Sequence, residues 1–158
     1  MTTHAAYGLA LGVGVIAGLR ALTAPAAVSL AAHFKWMKLA GTALSFIGST
    51  AVAVILSILA IAEIVNDKLP KTPARTAPPL FIFRIVTGAF SGAAICLAAR
   101  HSIVVGVALG AIGAAIGTVG GYHIRRALVT RVKIPDFTVA LVEDAVAIIA
   151  AFFFVSRF

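Results

Sequence analysis

The chain has 158 residues, of which 61% are hydrophobic and 11% are charged, with a mean hydropathy of +1.09 and a net charge of +8. Soluble domains carry about a quarter charged residues, so a water-soluble fold of this size lacks the polar side chains that its surface needs. The composition therefore excludes a soluble enzyme and predicts a single all-α domain, a polytopic bundle of transmembrane helices. The basic residues lie at the ends of apolar runs and form no stripe with interleaved aromatics, which argues against nucleic-acid binding.

Five apolar runs follow one another along the chain, and about 20 apolar residues are enough to cross a bilayer. The N-terminal run has no basic residue ahead of it, so we interpret it as a membrane helix and not as a secretory signal. Arg20 and Pro25 interrupt this first run, and a Pro-rich linker over residues 66–79 separates the second run from the third. The predicted helices cover residues 5–32, 39–65, 80–99, 103–124 and 137–155.

The basic residues between the runs predict the orientation in the membrane. If the chain crosses the membrane five times, seven of these basic residues fall on one side of the membrane and four on the other. Cytoplasmic loops are enriched in Lys and Arg, so the side with seven is predicted to be cytoplasmic. This places the chain in the inner (plasma) membrane as a multi-pass protein with a cytoplasmic N-terminus and an external C-terminus. The seven are Lys68, Lys71, Arg75, Arg125, Arg126, Arg131 and Lys133, and the four are Lys35, Lys38, Arg100 and Arg157.

Glycines recur at a spacing of four in the first and fourth predicted helices. Small residues at this spacing leave a flat groove on one helix face, where a second backbone can approach closely. We therefore expect these helices to pack tightly, although glycine is also simply common in membrane helices. The glycines concerned are Gly8, Gly12, Gly14, Gly18, Gly106, Gly110, Gly113, Gly117 and Gly121, with a further pair at Gly88 and Gly92.

The same glycines suggest an internal repeat. Residues 8–18 align with residues 106–117 when one residue is inserted. Three predicted helices separate the starts of the two copies, so the copies would enter the membrane from opposite sides, as in the inverted repeats of many transporters.

Ionisable residues inside apolar runs are costly, and each is a candidate for function. Glu63 and Arg84 flank the linker, where they either line a path or form a pair that fixes the hairpin. Glu143 and Asp144 lie about two turns into the last helix, and Arg20 is the natural partner for them. Thr23 lies one turn beyond Arg20, and a helix broken at Arg20 predicts a cavity that accepts an ion or anionic group. The alternative is that Arg20 forms a structural ion pair with a carboxylate.

Two basic segments are candidates for contact with lipid headgroups, because anionic lipids attract Lys and Arg next to a membrane helix. The first holds Lys68, Lys71 and Arg75 in the linker. The second holds Arg125 and Arg126, in a segment after Gly121 that we interpret as a short interfacial helix. The four histidines and the single Cys96 show no metal-ligand spacing, and no catalytic or cofactor motif is recognised, so we expect no metal site, no cofactor and no enzymatic activity.

Four segments carry a family resemblance: GLRALTAP at 18–25, EIVNDKLPKTPARTAPP at 63–79, RIVTGAFSGA at 84–93 and ALVEDA at 140–145. In them the chain resembles the bacterial membrane proteins grouped as the domain of unknown function 4126 family. The resemblance extends from Gly8 to Ala147, and it implies a membrane fold without an assigned activity.

The residues together favour a small-solute or ion transporter, or a channel, with an intramembrane cluster of Arg and carboxylates, in a homo-oligomer surrounded by membrane lipids. The first alternative is a structural or lipid-binding accessory subunit of a larger membrane complex. A membrane-bound enzyme that modifies lipids is a third, weaker hypothesis.

Overall fold

The computed structural model describes residues 1–68 and 77–158. Within these residues all regular structure is helical, which confirms the predicted fold class. Of the helices in the described residues, three are long and apolar enough to cross a membrane, those at Pro78–Ala98, Ile103–Thr130 and Asp136–Val155, and those at Thr3–Leu19 and Thr50–Asn66 are shorter apolar helices. The helices are α1 (Thr3–Leu19), α2 (Thr23–His33), α3 (Thr50–Asn66), α4 (Pro78–Ala98), α5 (Ile103–Thr130) and α6 (Asp136–Val155), with a 3-10 turn at Ser45–Gly48 before α3.

The first apolar run is a helical hairpin and not one helix. The chain leaves the helical conformation at Arg20, whose φ of −139° and ψ of 108° are extended, and it becomes helical again at Thr23. Pro25 lies in the first turn of α2, where a missing N–H breaks no helical hydrogen bond, so the interruption is at Arg20 and not at Pro25. α2 then runs back beside α3 and the 3-10 turn, where the Ser29 hydroxyl donates to the Ile47 carbonyl of the turn at 2.5 Å.

This additional reversal places both termini at the same end of the bundle. Met1, Arg157 and Phe158 line one cavity of about 460 Å³ together with Trp36 and Arg100. The prediction that the termini lie on opposite sides is therefore wrong, because it counted the α1–α2 hairpin as one crossing. We call this the terminal end. The opposite end, which holds the turn at residues 20–22 and the connection at residues 131–135, is the charged end.

The centre of the bundle is formed by α1, α4 and α5, which meet through glycines. A Cβ added at Gly14 would lie under 3 Å from the backbone of Gly110, and one added at Gly18 would meet the carbonyl of Ala114. Equivalent backbone contacts join α4 to α5. Among the other glycines of the predicted stripes, Gly113 and Gly117 also meet the α1 backbone, Gly106 meets Gly92, Gly12 meets the Phe154 ring, Gly8 faces open space and Gly121 is buried.

The order of these contacts gives the relative helix directions. Gly14 meets Gly110 and Gly18 meets Ala114, so α1 and α5 are parallel. Gly88 meets Gly110 whereas Gly92 meets Gly106, so α4 is antiparallel to α5. The two glycine segments thus enter from the same side, and the predicted inverted relation between them is wrong.

α5 continues without interruption to Thr130. The segment after Gly121 is therefore the last part of a long helix and not a separate interfacial one. At about 1.5 Å per residue, α5 is about 42 Å long, whereas the hydrocarbon layer is about 30 Å thick. Its basic C-terminal part consequently extends beyond the hydrocarbon when the rest of the helix spans it.

Candidate functional site

All five acidic residues of the chain lie toward the charged end, where they meet four basic side chains among residues 1–68 and 77–158. α3 and the residues after it supply two of the acids, and α6 supplies three. We call this set the ionic cluster. Its acids are Glu63, Asp67, Asp136, Glu143 and Asp144, and its bases are Arg20, Lys68, Arg84 and Arg125.

Arg20 is the centre of the ionic cluster and is fully buried, with 0% of the residue exposed. One terminal nitrogen pairs with Asp67, and the other lies 2.5 Å from Oδ1 of Asp144. The second oxygen of Asp144 lies 2.5 Å from Nζ of Lys68. A buried guanidinium is tolerated only when its charge is matched, and here carboxylates from the end of α3 and from α6 match it.

The turn between α1 and α2 is held by one cation and one anion from other helices. Arg84 of α4 donates to the carbonyls of Gly18 at 2.5 Å and Leu19 at 2.8 Å. The Glu63 carboxylate of α3 accepts the N–H groups of Ala21 and Leu22, both at 2.8 Å. A helix has a partial negative charge at its C-terminus and a partial positive charge at its N-terminus, so each side chain is at the helix end that attracts it.

Arg125 connects the buried part of the ionic cluster to the surface. Its Nε and one terminal nitrogen donate to the two oxygens of Asp136, each at 2.8 Å. Its other terminal nitrogen lies 3.6 Å from Asp67 and 3.7 Å from Glu143. Exposure of the side chains falls from 60% at Asp136 to 19% at Arg125 and 11% at Asp67, and then to 0% at Arg20. A continuous series of ion pairs therefore leads from the charged end into the bundle.

Two threonines lie at the same level as Arg20. Thr118 of α5 lies with its hydroxyl 2.8 Å from the carbonyl of Ala114 and 3.1 Å from that of Gly18. Thr23 is buried in the first turn of α2, and its hydroxyl has no hydrogen-bond partner among the described residues. Thr23 is thus a polar group next to the α1–α2 turn that remains available to a bound ion or water.

A groove of about 330 Å³ lies between α5 and α6 beside the ionic cluster. Leu19, Ile124, Leu128, Val142 and Val146 are among the side chains that form its apolar walls, and Arg125 and Glu143 lie on its cluster side. We call it the α5–α6 groove. It places an apolar surface next to charged groups.

The family model described as Domain of unknown function (DUF4126) matches residues 7–156. The chain belongs to this family. No curated protein and no solved structure matches the chain. Membership in the DUF4126 family, whose description names no activity, leaves the function to be argued from the site.

The structure brings most of the sequence-predicted charges of this DUF4126 protein together. Arg20 and Asp144 pair directly, and Glu63 lies 3.9 Å from Arg84 at the α1–α2 turn. Glu143 lies at the edge, between Arg125 and the α5–α6 groove.

The predicted headgroup residues are placed differently from one another. Lys68 and Arg125 lie against carboxylates, whereas Arg126 is exposed. Lys71 and Arg75 lie outside the described residues.

Sequence reasoning missed Asp67 and Asp136, because both lie just outside the apolar runs and look like ordinary loop residues. The signal that identifies them is charge balance, since the four buried or partly buried cations of the ionic cluster outnumber the three carboxylates that lie inside the apolar runs. Over residues 1–68 and 77–158, no group of three or more His, Cys, Asp or Glu side chains is arranged to hold a metal ion.

Proposed function

We propose that this DUF4126 protein is an ion or small-solute transporter and that the ionic cluster is the charged part of its path. The observation that carries the proposal is the enclosure of Arg20 by protein at a break between two apolar helices. Charged residues inside a membrane bundle are costly, and they mark ion and substrate paths in membrane proteins. Broken helices supply the sites of many transporters, because their ends present backbone charges inside the bundle.

The packing supports access from the charged end. Ion pairs extend from exposed Asp136 inward to Arg20. Toward the terminal end, the α1, α4 and α5 backbones touch at Gly14, Gly92 and Gly110 and leave little room for a path between them. α6 and the α2–α3 pair surround this backbone-packed centre and have fewer contacts with it. Alternating access would then be a movement of these outer helices against α1, α4 and α5.

Proton flux is the first activity to test, since chains of carboxylates are typical of proton relays in membrane proteins. Purified protein would be reconstituted into liposomes that contain a pH-sensitive dye, and an external pH step would be applied with K⁺ and valinomycin to clamp the potential. We expect proton entry above that of protein-free liposomes, and a loss of at least about tenfold in Glu143→Gln and Asp144→Asn. Arg157→Gln, at the terminal end, is the matched control and should retain the wild-type rate.

Parallel experiments on liposomes with Na⁺, K⁺ or Cl⁻ gradients would distinguish transport of one of these ions together with protons from transport of protons alone. Thermal unfolding of every variant would separate loss of flux from loss of fold. The proposal is contradicted if liposomes that contain the wild-type protein conduct none of these ions. Full flux by folded Glu143→Gln and Asp144→Asn proteins would also contradict it.

A second proposed function, a structural or lipid-binding accessory subunit, is favoured by the ion pairs themselves. Arg20 links the α1–α2 turn to α6, and Arg84 links it to α4, so the ionic cluster also locks the fold. Purification from native membranes in a mild detergent distinguishes the transporter from the accessory subunit. A homo-oligomer alone supports the transporter, and other subunits that co-purify at a fixed stoichiometry support the accessory role.

We also propose that the charged end is cytoplasmic, because the five described members of the larger basic set lie there and Lys and Arg determine orientation. Since both termini lie at the terminal end, the same rule now places the N-terminus outside, in place of the cytoplasmic position predicted from five crossings. In a Cys96→Ala background, Thr2→Cys should react with an impermeant maleimide on intact spheroplasts. Arg131→Cys should react only after permeabilisation, and the reverse pattern would contradict this orientation.

A further inference from the structure

The α5–α6 groove faces outward from the bundle. Ile124 of α5 and Val142 and Val146 of α6 line it and are all exposed. The groove volume of about 330 Å³ is within the range of about 300–1,000 Å³ that is typical of ligand sites. In a bilayer, such a concave apolar surface contacts hydrocarbon, so it has the shape and chemistry to hold part of an acyl chain.

Basic side chains surround the end of the α5–α6 groove at the charged end. Gly121, Ile124 and Leu128 line the groove on one face of α5, and Arg131 follows Leu128 at the spacing that continues this face. Lys133 has a φ of 60°, a left-handed conformation that turns the chain back. The next residue, Ile134, donates its N–H to the Leu128 carbonyl at 3.2 Å and lines the groove.

These cations are distinct from those of the ionic cluster. Arg131 and Lys133 are exposed, as is Arg126 one turn earlier, and none of the three is paired with a carboxylate within the described part of the chain. When the first part of α5 spans the hydrocarbon, this part of the chain extends beyond it, to the depth of lipid phosphates.

We propose that the α5–α6 groove is a binding site for an anionic phospholipid, with an acyl chain between α5 and α6 and its phosphate on Arg131 and Lys133. The occupant is a lipid and not a second copy of this chain, because a symmetric contact through this surface would bring Arg126, Arg131 and Lys133 against the same three cations. The proposal does not depend on transport, since Arg131 and Lys133, which hold the phosphate, lie outside the ionic cluster, although Arg125 of the cluster also lines the groove.

The test uses the full chain in a non-ionic detergent. Phosphatidylglycerol and phosphatidylcholine with the same acyl chains would be titrated, and native mass spectrometry would count the lipids bound. We expect one phosphatidylglycerol to bind about 30-fold more tightly than phosphatidylcholine. Glycerol phosphate, which has no acyl chain, should not compete, and this separates a lipid site from a site for free phosphate.

Two variants separate the headgroup from the acyl chain. Arg131→Gln combined with Lys133→Gln should weaken phosphatidylglycerol binding by about 30-fold, to the level of phosphatidylcholine. In Val142→Trp the indole ring fills the groove, so this variant should lose binding of both phosphatidylglycerol and phosphatidylcholine. Arg157→Gln and Val119→Trp, which change a charge and a lipid-facing side chain outside the groove, are the matched controls and should bind as the wild type does.

Three outcomes would overturn the proposal. The first is equal binding of the two lipids, and the second is full binding by folded Val142→Trp protein. The third is a change of oligomeric state in Val142→Trp without a change in lipid binding, which would assign the groove to a contact between copies. Thermal unfolding of each variant identifies any loss of binding that comes from misfolding.

Discussion

Replacement of Gly110 by alanine tests the backbone contacts at the centre of the bundle. A Cβ at this position would lie under 3 Å from the backbone of Gly88 and 3.1 Å from Cα of Gly92, both in α4. These are backbone atoms of a packed helix, so they cannot move aside as the end of a flexible side chain can. Gly110→Ala should therefore push α4 away from α5.

The change in the free energy of unfolding that we expect for Gly110→Ala is the sum of two opposing contributions. Glycine to alanine in a helix interior gains about 0.5–1 kcal/mol from the smaller conformational freedom of the unfolded chain. Overpacking in a well-packed core costs about 1–3 kcal/mol, and the upper half of this range applies where backbone meets backbone. The net expectation is a loss of about 1–2 kcal/mol, or a fall of about 2–8 °C in the melting temperature.

The single cysteine of the chain provides the assay. Cys96 is fully buried on α4, and its Sγ would lie 2.9 Å from a Cβ at Gly106 of α5, so it is part of the same interface. A fluorogenic maleimide should react with Cys96 only after α4 and α5 separate. The temperature at half-maximal fluorescence therefore reports the opening of this contact.

Gly120→Ala is the matched control on the same helix, since nothing lies within 4 Å of a Cβ there. It should leave the transition unchanged or raise it by about 2–4 °C through helix propensity alone. If Gly110→Ala melts at or above the temperature of Gly120→Ala, then α4 and α5 do not meet at Gly110 and the arrangement of the three central helices is incorrect.

Three further predictions use the same melting assay. Glu63→Gln should cost about 1–3 kcal/mol, because the amide accepts at only one of its two polar atoms whereas the carboxylate accepts two backbone N–H groups. Arg20→Gln should cost about 3–5 kcal/mol, and the addition of Asp144→Asn should recover part of this loss, since without Arg20 the buried Asp144 carboxylate has one matched oxygen, at Lys68, and one that is no longer matched; no recovery in the double variant would contradict the pairing. Gly12→Ala should be tolerated within about 1 kcal/mol, because its Cβ meets only the end of the Phe154 ring, and a loss as large as that of Gly110→Ala would speak against this distinction.

The sequence predicted the fold class because hydrophobicity is a local property. The apolar runs 80–99 and 137–155 correspond to α4 and α6, whose ends are marked by proline or charge nearby. The break at Arg20 was predicted but the reversal of direction there was missed, since residues 16–24 are apolar except for Arg20 and Thr23, and alanine and leucine at positions 21 and 22 favour a continuous helix. The partners that stabilise the break, Glu63 and Arg84, are more than 40 residues away along the chain.

Much of the ionic cluster was predictable for a related reason. A charge inside an apolar run needs an opposite charge, so Arg20 and Asp144 are natural partners. Their geometry was not predictable, because it depends on how many times the chain reverses. One more reversal moved the N-terminus to the other end of the bundle. This changed the predicted side of the N-terminus, although the described basic residues between the runs were grouped as predicted.

The α1–α2 turn also has a consequence for biosynthesis. In hydrocarbon, each freed carbonyl and N–H group needs a partner, and here these partners arrive only when the ribosome has made α3 and α4. Until then, we expect the insertion machinery to receive the apolar residues 5–32, with Arg20 among them, as a single span. The nascent chain must therefore refold inside the membrane after translation of Arg84, and a chain truncated before α4 should keep its first segment straight, with Lys35 on the opposite side from Met1.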